Sequence, residues 1–178
     1  MDEPKQYEGS PKTLPEEREL ILRYTPDTGR FLEVGTLRGV SIAMIAEKRP
    51  NVRFVSVDIH PFNRKPIGNN NLIWWSNRHP NQTLFIGNIV EFNEITSSEV
   101  FDVIFIDADH DYASVKRDLE ISRRLIKPSG IIICHDYAPS NPANQSTYGV
   151  EKAVTEFCLS TTWRLVDALE TTVVLKNI

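Results

Sequence analysis

Apolar positions along the chain follow two alternating rhythms. In "LPEERELILRY" residues Leu20, Ile21 and Tyr24 fall on one helical face, with acids in the first turn where the helix dipole favours them. "GRFLEVG" is a short apolar strand ending in glycine, and "VSIAMIAEKRP" reads as a helix stopped before Pro50. "VRFVSVD" is a strand ending at Asp58, "TLFIGN" another, and "FDVIFID" a stronger one. From Val115 the pattern recurs at Leu119, Ser122 and Ile126, with Arg123, Arg124 and Lys127 at the end. That spacing predicts an amphipathic helix with dipole-matched charges, halted by Pro128 and Gly130. "IIIC" is the next strand, and "GVEKAVTEFCL" puts Val150, Ala153, Val154 and Phe157 at helical spacing. "WRLVDAL" and "TTVVLK" are two strands with a short connection, hence antiparallel to each other.

Strands alternating with helices predict a mostly parallel sheet covered on both faces. A length of 178 residues fits a single domain over 1–178. Residues 1–13 read as flexible. Segment 60–82, rich in Asn and Pro, reads as a loop with one short helix around "NLIWWSN". Segment 138–148, "APSNPANQSTY", reads as a polar loop over the site, of the kind that acts as a lid.

Composition narrows the classes. A net charge of −4 argues against a nucleic-acid footprint, which is normally basic. No apolar run reaches membrane-spanning length, and "MDEPKQYEGSPK" has the character of neither a signal peptide nor a membrane anchor. Cys134 and Cys158 read as buried, reduced thiols, which fits a cytoplasmic protein.

In parallel sheets ligands sit beyond the carboxyl ends of the strands, so those ends carry the candidate chemistry. The first strand ends "EVGTLRG", an E-x-G-x-x-x-G pattern of Glu33, Gly35 and Gly39. Gly35 permits a sharp turn and close approach to a ligand, and Gly39 close helix packing. Asp58 follows Gly39 at about the spacing from which a carboxylate reaches a ribose diol. A dinucleotide site wants G-x-G-x-x-G for its pyrophosphate. Here Glu33 stands at the first glycine and would repel one. It suits a ligand whose near end is a cationic amino acid, and S-adenosylmethionine has an adenosine, a ribose diol, a sulfonium and an ammonium group. The alternatives are a nicotinamide-dependent oxidoreductase and a cofactor-binding protein without catalysis of its own.

"FIDADHDY" crowds Asp107, Asp109, His110 and Asp111 at the end of the strongest strand, and His135–Asp136 follow "IIIC". One of Asp109 and Asp111 is expected to cap the next helix. With "FLEVGTLRGVS" and "VSVDIHP", these segments resemble class I S-adenosylmethionine-dependent methyltransferases. D-x-D-H-x-Y paired with H-D-Y narrows the resemblance to small-molecule O-methyltransferases related to macrocin O-methyltransferase and the cephalosporin hydroxylase-like proteins. It spans roughly residues 30–178.

The resemblance implies a Rossmann-like, doubly wound, seven-stranded α/β sheet with an antiparallel last strand. It implies that Gly35 and the adjoining backbone at Thr36 and Gly39 meet the methionine part, with Glu33 on its ammonium side. Asp58 would hold the ribose, Ile59 pack on adenine, and Asn88 serve the adenine edge or simply form a turn. Asp107 would lie near the transferring methyl. His110, at a D-x-x-H position, would be the base, with His135 the competing imidazole. Asp107 and Asp136 would hold Mg²⁺ or, because His135 stands where relatives have an acid, a softer ion such as Mn²⁺, or no metal at all. Tyr137 either lines the acceptor pocket or packs. Trp74 and Trp75 either cover an acceptor or divide between core and surface. The implied partner is a small-molecule acceptor, not nucleic acid or membrane, and a homodimer is compatible with the pattern.

Overall fold

The computed structural model describes residues 13–37, 39–59, 81–98, 100–138 and 148–178. Its elements in chain order are α1 (Pro15–Tyr24), β1 (Gly29–Val34), α2 (Val40–Lys48), β2 (Val52–Asp58), β3 (Gln82–Ile86) and α3 (Ile89–Ile95). There follow β4 (Phe101–Ile106), α4 (Tyr112–Leu125), β5 (Ile126–Cys134), α5 (Val150–Ser160), β6 (Trp163–Leu169) and β7 (Thr172–Asn177). The seven strands form one sheet in the order β3-β2-β1-β4-β5-β7-β6. β1 to β5 pair in parallel, and β7 runs antiparallel to both β5 and β6.

Strand pleat distributes the core. Phe31, Val103, Phe105, Ile131, Ile133 and Val174 face one side, where α1 and α2 bring Leu20, Ile21, Ile42 and Ile45. Leu32, Val34, Ile104, Ile106, Ile132 and Leu175 face the other, against Phe92 of α3, Val115 and Leu119 of α4 and Val154 and Phe157 of α5. Both faces of the central strands are buried, which is why β4 and β5 read as near-continuous apolar runs rather than as alternations.

Three local expectations change. α4 ends at Leu125, and Pro128 and Gly130 lie inside β5 instead of after a helix. Phe101 pairs with Ile126 but Val103 with Ile131, so two steps along β4 match five along β5, and the excess forms an irregularity that takes a proline. Lys127 accordingly serves no helix end; its Nζ meets Asp102 at 2.8 and 2.9 Å. Residues 89–95, which show no clear periodicity, form a capped helix, and Gln82 opens β3. Cys134 is buried, Cys158 only half-buried, and both thiols are free. The predicted helix around "NLIWWSN", Trp74, Trp75, His60 and His79 lie outside the described residues, as does most of the predicted lid. No helix among the described residues is long and apolar enough to cross a membrane.

Candidate active site

At the carboxyl edge of β1, β2 and β4 the chain turns tightly around Gly35. Its φ is +87°, and a Cβ there would run into the backbone of Asp107 and Ala108. The Gly35 N–H donates to the Val57 carbonyl at 2.9 Å, and the Asp107 N–H to that of Val34 at 2.9 Å, locking three strand ends together. Gly39, at φ +69°, starts α2. Asp58 holds the intervening turn: its Oδ2 accepts from the backbone N–H groups of Thr36 at 2.9 Å and Leu37 at 2.7 Å. A carboxylate offers about four lone-pair sites, so this role is compatible with a further hydroxyl ligand.

Glu33 is 2% exposed and accepts from the Ser56 hydroxyl at 3.2 Å. Burial pushes its carboxyl up to about 8, and the nearby Asp107 and Asp58 charges push the same way, against the Thr36 and Ser56 hydroxyls. Without a ligand it is therefore largely neutral at pH 7, and a cation beside it would ionise it. Ile59 is 62% exposed at the end of β2, an apolar side chain open for a flat ring to cover. Asn88 N-caps α3: its Oδ1 accepts from Val90 and Glu91 N–H at 2.9 and 3.0 Å, while Glu91 reaches back to the Asn88 N–H at 2.8 Å. Its carbonyl is thus committed to the helix, and the amide NH₂ is the group left for a ligand.

"FIDADHDY" divides by geometry. Asp111 caps α4, accepting from Ala113 N–H at 2.9 Å and Ser114 N–H at 3.2 Å. Asp109 shapes the turn, accepting from His110 N–H at 2.8 Å and the Ser114 hydroxyl at 3.1 Å. Asp107 and His110, with Asp109 beside them, line a cavity of about 860 Å³ that also takes in Glu33, Asp58, His135 and Asp136, within the usual range for cofactor sites. Tyr137 is not part of that wall; it packs against the core.

His135 and His110 differ sharply. His135 is 7% exposed and surrounded by acids: Nδ1 lies 3.3 Å from Asp107 Oδ1 and 3.1 Å from Asp136 Oδ2, and Nε2 lies 3.1 Å from Glu17 Oε2. Burial works against its charge, but the Asp107, Asp136 and Glu17 carboxylates prevail and raise it to about 12. It is an imidazolium with both N–H groups committed to carboxylates. His110 is half-buried, its ring stacked on Tyr148 with centroids 4.4 Å apart and planes 15° from parallel. Its Nε2 stands 3.0 Å from Asp136 Oδ2, out of line for a hydrogen bond. The Asp136 carboxylate raises its pKa above the ordinary imidazole value, and burial opposes. Asp136, at φ +55°, is held below the usual carboxylate range: burial works upward, and the two imidazoles outweigh it.

Asp107, His110 and Asp136 also present one ligand atom each within 4.8 Å of one another. Three carboxylates (Glu17, Asp107, Asp136) against one imidazolium leave this region at −2 with His110 neutral. Donors and charge fit a divalent cation, and the imidazole nitrogen favours Mn²⁺ over Mg²⁺.

Two participants escape sequence reasoning. Glu17 reads as a first-turn acid, yet it is 1% exposed and ion-paired to His135. The available signal is its register, because residues 17, 20, 21 and 24 share one helical face. Tyr148 lies in a segment read only as loop, and nothing local announces its stacking.

Residues 32–137 match the family model described as "Methyltransferase domain". No curated protein matches the chain. Among solved structures, cofactor-bound Rv0187 from MTB superposes with a TM-score of 0.71 at 15% identity, over 94% of this chain and 83% of that one. The O-methyltransferase TomG from Streptomyces achromogenes, involved in tomaymycin synthesis and solved with S-adenosylmethionine, gives 0.65 at 16% identity, over 93% and 81%. With this sheet order and cavity, the chain belongs to the methyltransferase-domain family and is a class I S-adenosylmethionine-dependent methyltransferase.

Proposed function

We propose that the enzyme methylates a hydroxyl of a small molecule and that His110 takes the acceptor proton. The observation that carries this reading is the contrast between the two imidazoles. His135 has both ring nitrogens spoken for by carboxylates and cannot accept a proton. His110 lines the cavity, and its Nε2, buried against Asp136 at 3.0 Å, makes no aligned hydrogen bond among the described residues, so a shift of the ring is what would bring it to an acceptor hydroxyl. When bound, S-adenosylmethionine supplies an electrophilic methyl on sulfur, which passes to the acceptor oxygen and leaves S-adenosylhomocysteine. His110 Nε2 receives the hydroxyl proton as the C–O bond forms, and Asp136 beside it stabilises the resulting imidazolium. Asp107, at the end of β4, orients the acceptor near the sulfonium. Glu33 receives the ammonium, Gly35 and Thr36 contribute backbone along the methionine, Asp58 takes the ribose hydroxyls, and Ile59 and the Asn88 amide meet the adenine.

The cluster of Asp107, His110 and Asp136 favours a second reading, in which a divalent cation held there acidifies the acceptor hydroxyl. His110 cannot be ligand and base at once, so the two readings exclude each other. Calorimetry with S-adenosylmethionine and with NAD tests the cofactor: tight NAD binding overturns the class. Methyl transfer to a panel of hydroxylated acceptors, with and without chelator, tests the chemistry. Full activity in chelator favours His110 as base, and loss restored by Mn²⁺ or Mg²⁺ favours the cation.

A further inference from the structure

Glu17 stands far from the cavity in sequence and does not line it, yet it touches one of the cavity's walls from behind. Its two oxygens take five donors. Oε2 accepts from the Leu14 N–H at 2.8 Å and lies 3.1 Å from His135 Nε2. Oε1 accepts from the Thr171 N–H at 3.1 Å, the Thr171 hydroxyl at 2.7 Å and the Thr172 hydroxyl at 3.1 Å. A carboxylate merely capping and anchoring α1 would need the Leu14 N–H and the three threonine donors, and not the His135 contact. The contact with His135 continues through the ring, whose other nitrogen meets Asp107 and Asp136, the acids of the candidate acceptor site. The same helix start touches the cavity wall again, where the Thr13 hydroxyl donates to that of Ser41 at 3.1 Å.

We propose that Glu17 is a positioning residue for methyl transfer: it fixes the plane of the His135 ring so that Nδ1–H is aimed between Asp107 and Asp136, which sets where those carboxylates hold the acceptor. This rests on the O-methyltransferase reading. An imidazole can spin about its Cβ–Cγ bond, and a ring gripped at one nitrogen only would have a choice of orientations. Gripped at both, with an edge-on contact to Phe105 at 6.3 Å and 75°, it has one. The edge-on contact packs the ring but does not choose its direction; the carboxylates do. Errors of about 1 Å in such a frame cost up to about a hundredfold in rate.

The test compares Glu17→Gln with the wild type in three measurements. Glutamine keeps an oxygen for Thr171 and Thr172, so that link of α1 to the start of β7 persists, but it presents an NH₂ to His135 and to the Leu14 N–H, which loses its acceptor. Nuclear magnetic resonance of the full chain should show two slowly exchanging His135 ring N–H protons in the wild type and one in the variant, with shifted Asp107 and Asp136 carboxyl carbons. With catechol as hydroxyl probe, kcat should fall about ten- to a hundredfold, while S-adenosylmethionine affinity stays within about twofold. The double variant Glu17→Gln/His135→Gln should be no slower than His135→Gln alone, because Glu17 acts through His135. Unchanged ring protons and carboxyl signals in Glu17→Gln, or additive losses in the double variant, overturn the proposal and leave Glu17 as an anchor of α1. Failure of the wild type to bind S-adenosylmethionine overturns the parent reading instead, and the ring-proton comparison still decides for Glu17.

Discussion

The two ends of the cavity are built on different principles. At the β1–β2 end the contacts come from backbone and from single acids. Gly35 clears the space, Asp58 ties the turn, and Glu33 waits neutral in a buried pocket with a pKa of about 8. At the β4–β5 end Asp107, His110, His135 and Asp136 cluster, Glu17 of a distant helix pairs with His135, and that one imidazolium already offsets part of the acidic charge before any ligand arrives. The first end gains its electrostatic complement from the ligand. The second carries part of its own. An end of the first kind needs few residues, each near a glycine turn. An end of the second kind needs residues from remote parts of the chain, because within "FIDADHDY" Asp111 is taken by the helix cap and Asp109 by the turn, and His135 with its partners Glu17 and Asp136 comes from elsewhere.

This contrast can be broken most forcefully at His110. Replacing it by alanine should cost about two to four orders of magnitude in kcat, the usual span for a general base, with little change in S-adenosylmethionine affinity. The wild-type rate should rise with pH through a value above 6.5, since the Asp136 carboxylate raises the imidazole and only the deprotonated ring accepts a proton. A flat pH profile, or near-normal turnover in the variant, removes His110 from the reaction.

At the other end Asp58→Ala should weaken S-adenosylmethionine by roughly 1.5–3 kcal/mol for each charge-assisted bond to the ribose. It should also loosen the Thr36–Leu37 turn, whose N–H groups lose their acceptor. Calorimetry giving wild-type affinity would sink the ribose assignment.

Glu33 offers a smaller, sharper test. Its carboxyl titrates near 8 without ligand, and an ammonium beside it favours the ionised form. Binding of S-adenosylmethionine below pH 8 should therefore release a proton. Affinity should climb by up to about tenfold per pH unit between roughly pH 6 and 8, then level off. Glu33→Gln should abolish the climb. Titrations in buffers of different ionisation enthalpy read the proton directly, and no buffer dependence would show that Glu33 does not meet the ammonium.

The smallest effect belongs to a residue with no part in the chemistry. Asp111→Ala removes the cap of α4 and should cost about 1 kcal/mol of stability by denaturant unfolding, with kcat unchanged. A large loss of activity instead would mean that the carboxylate reaches the acceptor.

Most of the sheet is legible in the sequence because its central strands are buried on both faces and most strands run into glycine or acid. The antiparallel close is legible because "WRLVDAL" and "TTVVLK" are too close in the chain for a crossover. The β1–β2 end of the cavity is legible for the same local reason, with turn and acids within one βαβ unit. What stays hidden is non-local. Pro128 looks like a helix stop because the sequence does not reveal that β4 and β5 slip by three residues there. Glu17 looks like a dipole-matched surface acid because its partners His135 and Thr171 are more than a hundred residues away. Asn88 could be divided between ligand and turn only once Val90 and Glu91 were seen to take its oxygen.

The five-donor grip on Glu17 also bears on how the chain is made. Three of its donors belong to Thr171 and Thr172, and the first of these lies 154 residues downstream. At about 5–20 residues per second, a ribosome takes roughly 8 to 30 seconds to cover that distance. For most of that interval the N-terminal helix holds a carboxylate with only the Leu14 N–H beside it; His135 follows 118 residues downstream and the threonines come last. Burying it early would leave a charge without compensation, so the helix gains little by docking before the last two strands are made. The β4–β5 end of the cavity is thus set to mature after the β1–β2 end, whose turn and acids all come from the first 60 residues. A truncated chain ending before Thr171 should bind ligand at the first end long before it can organise the second.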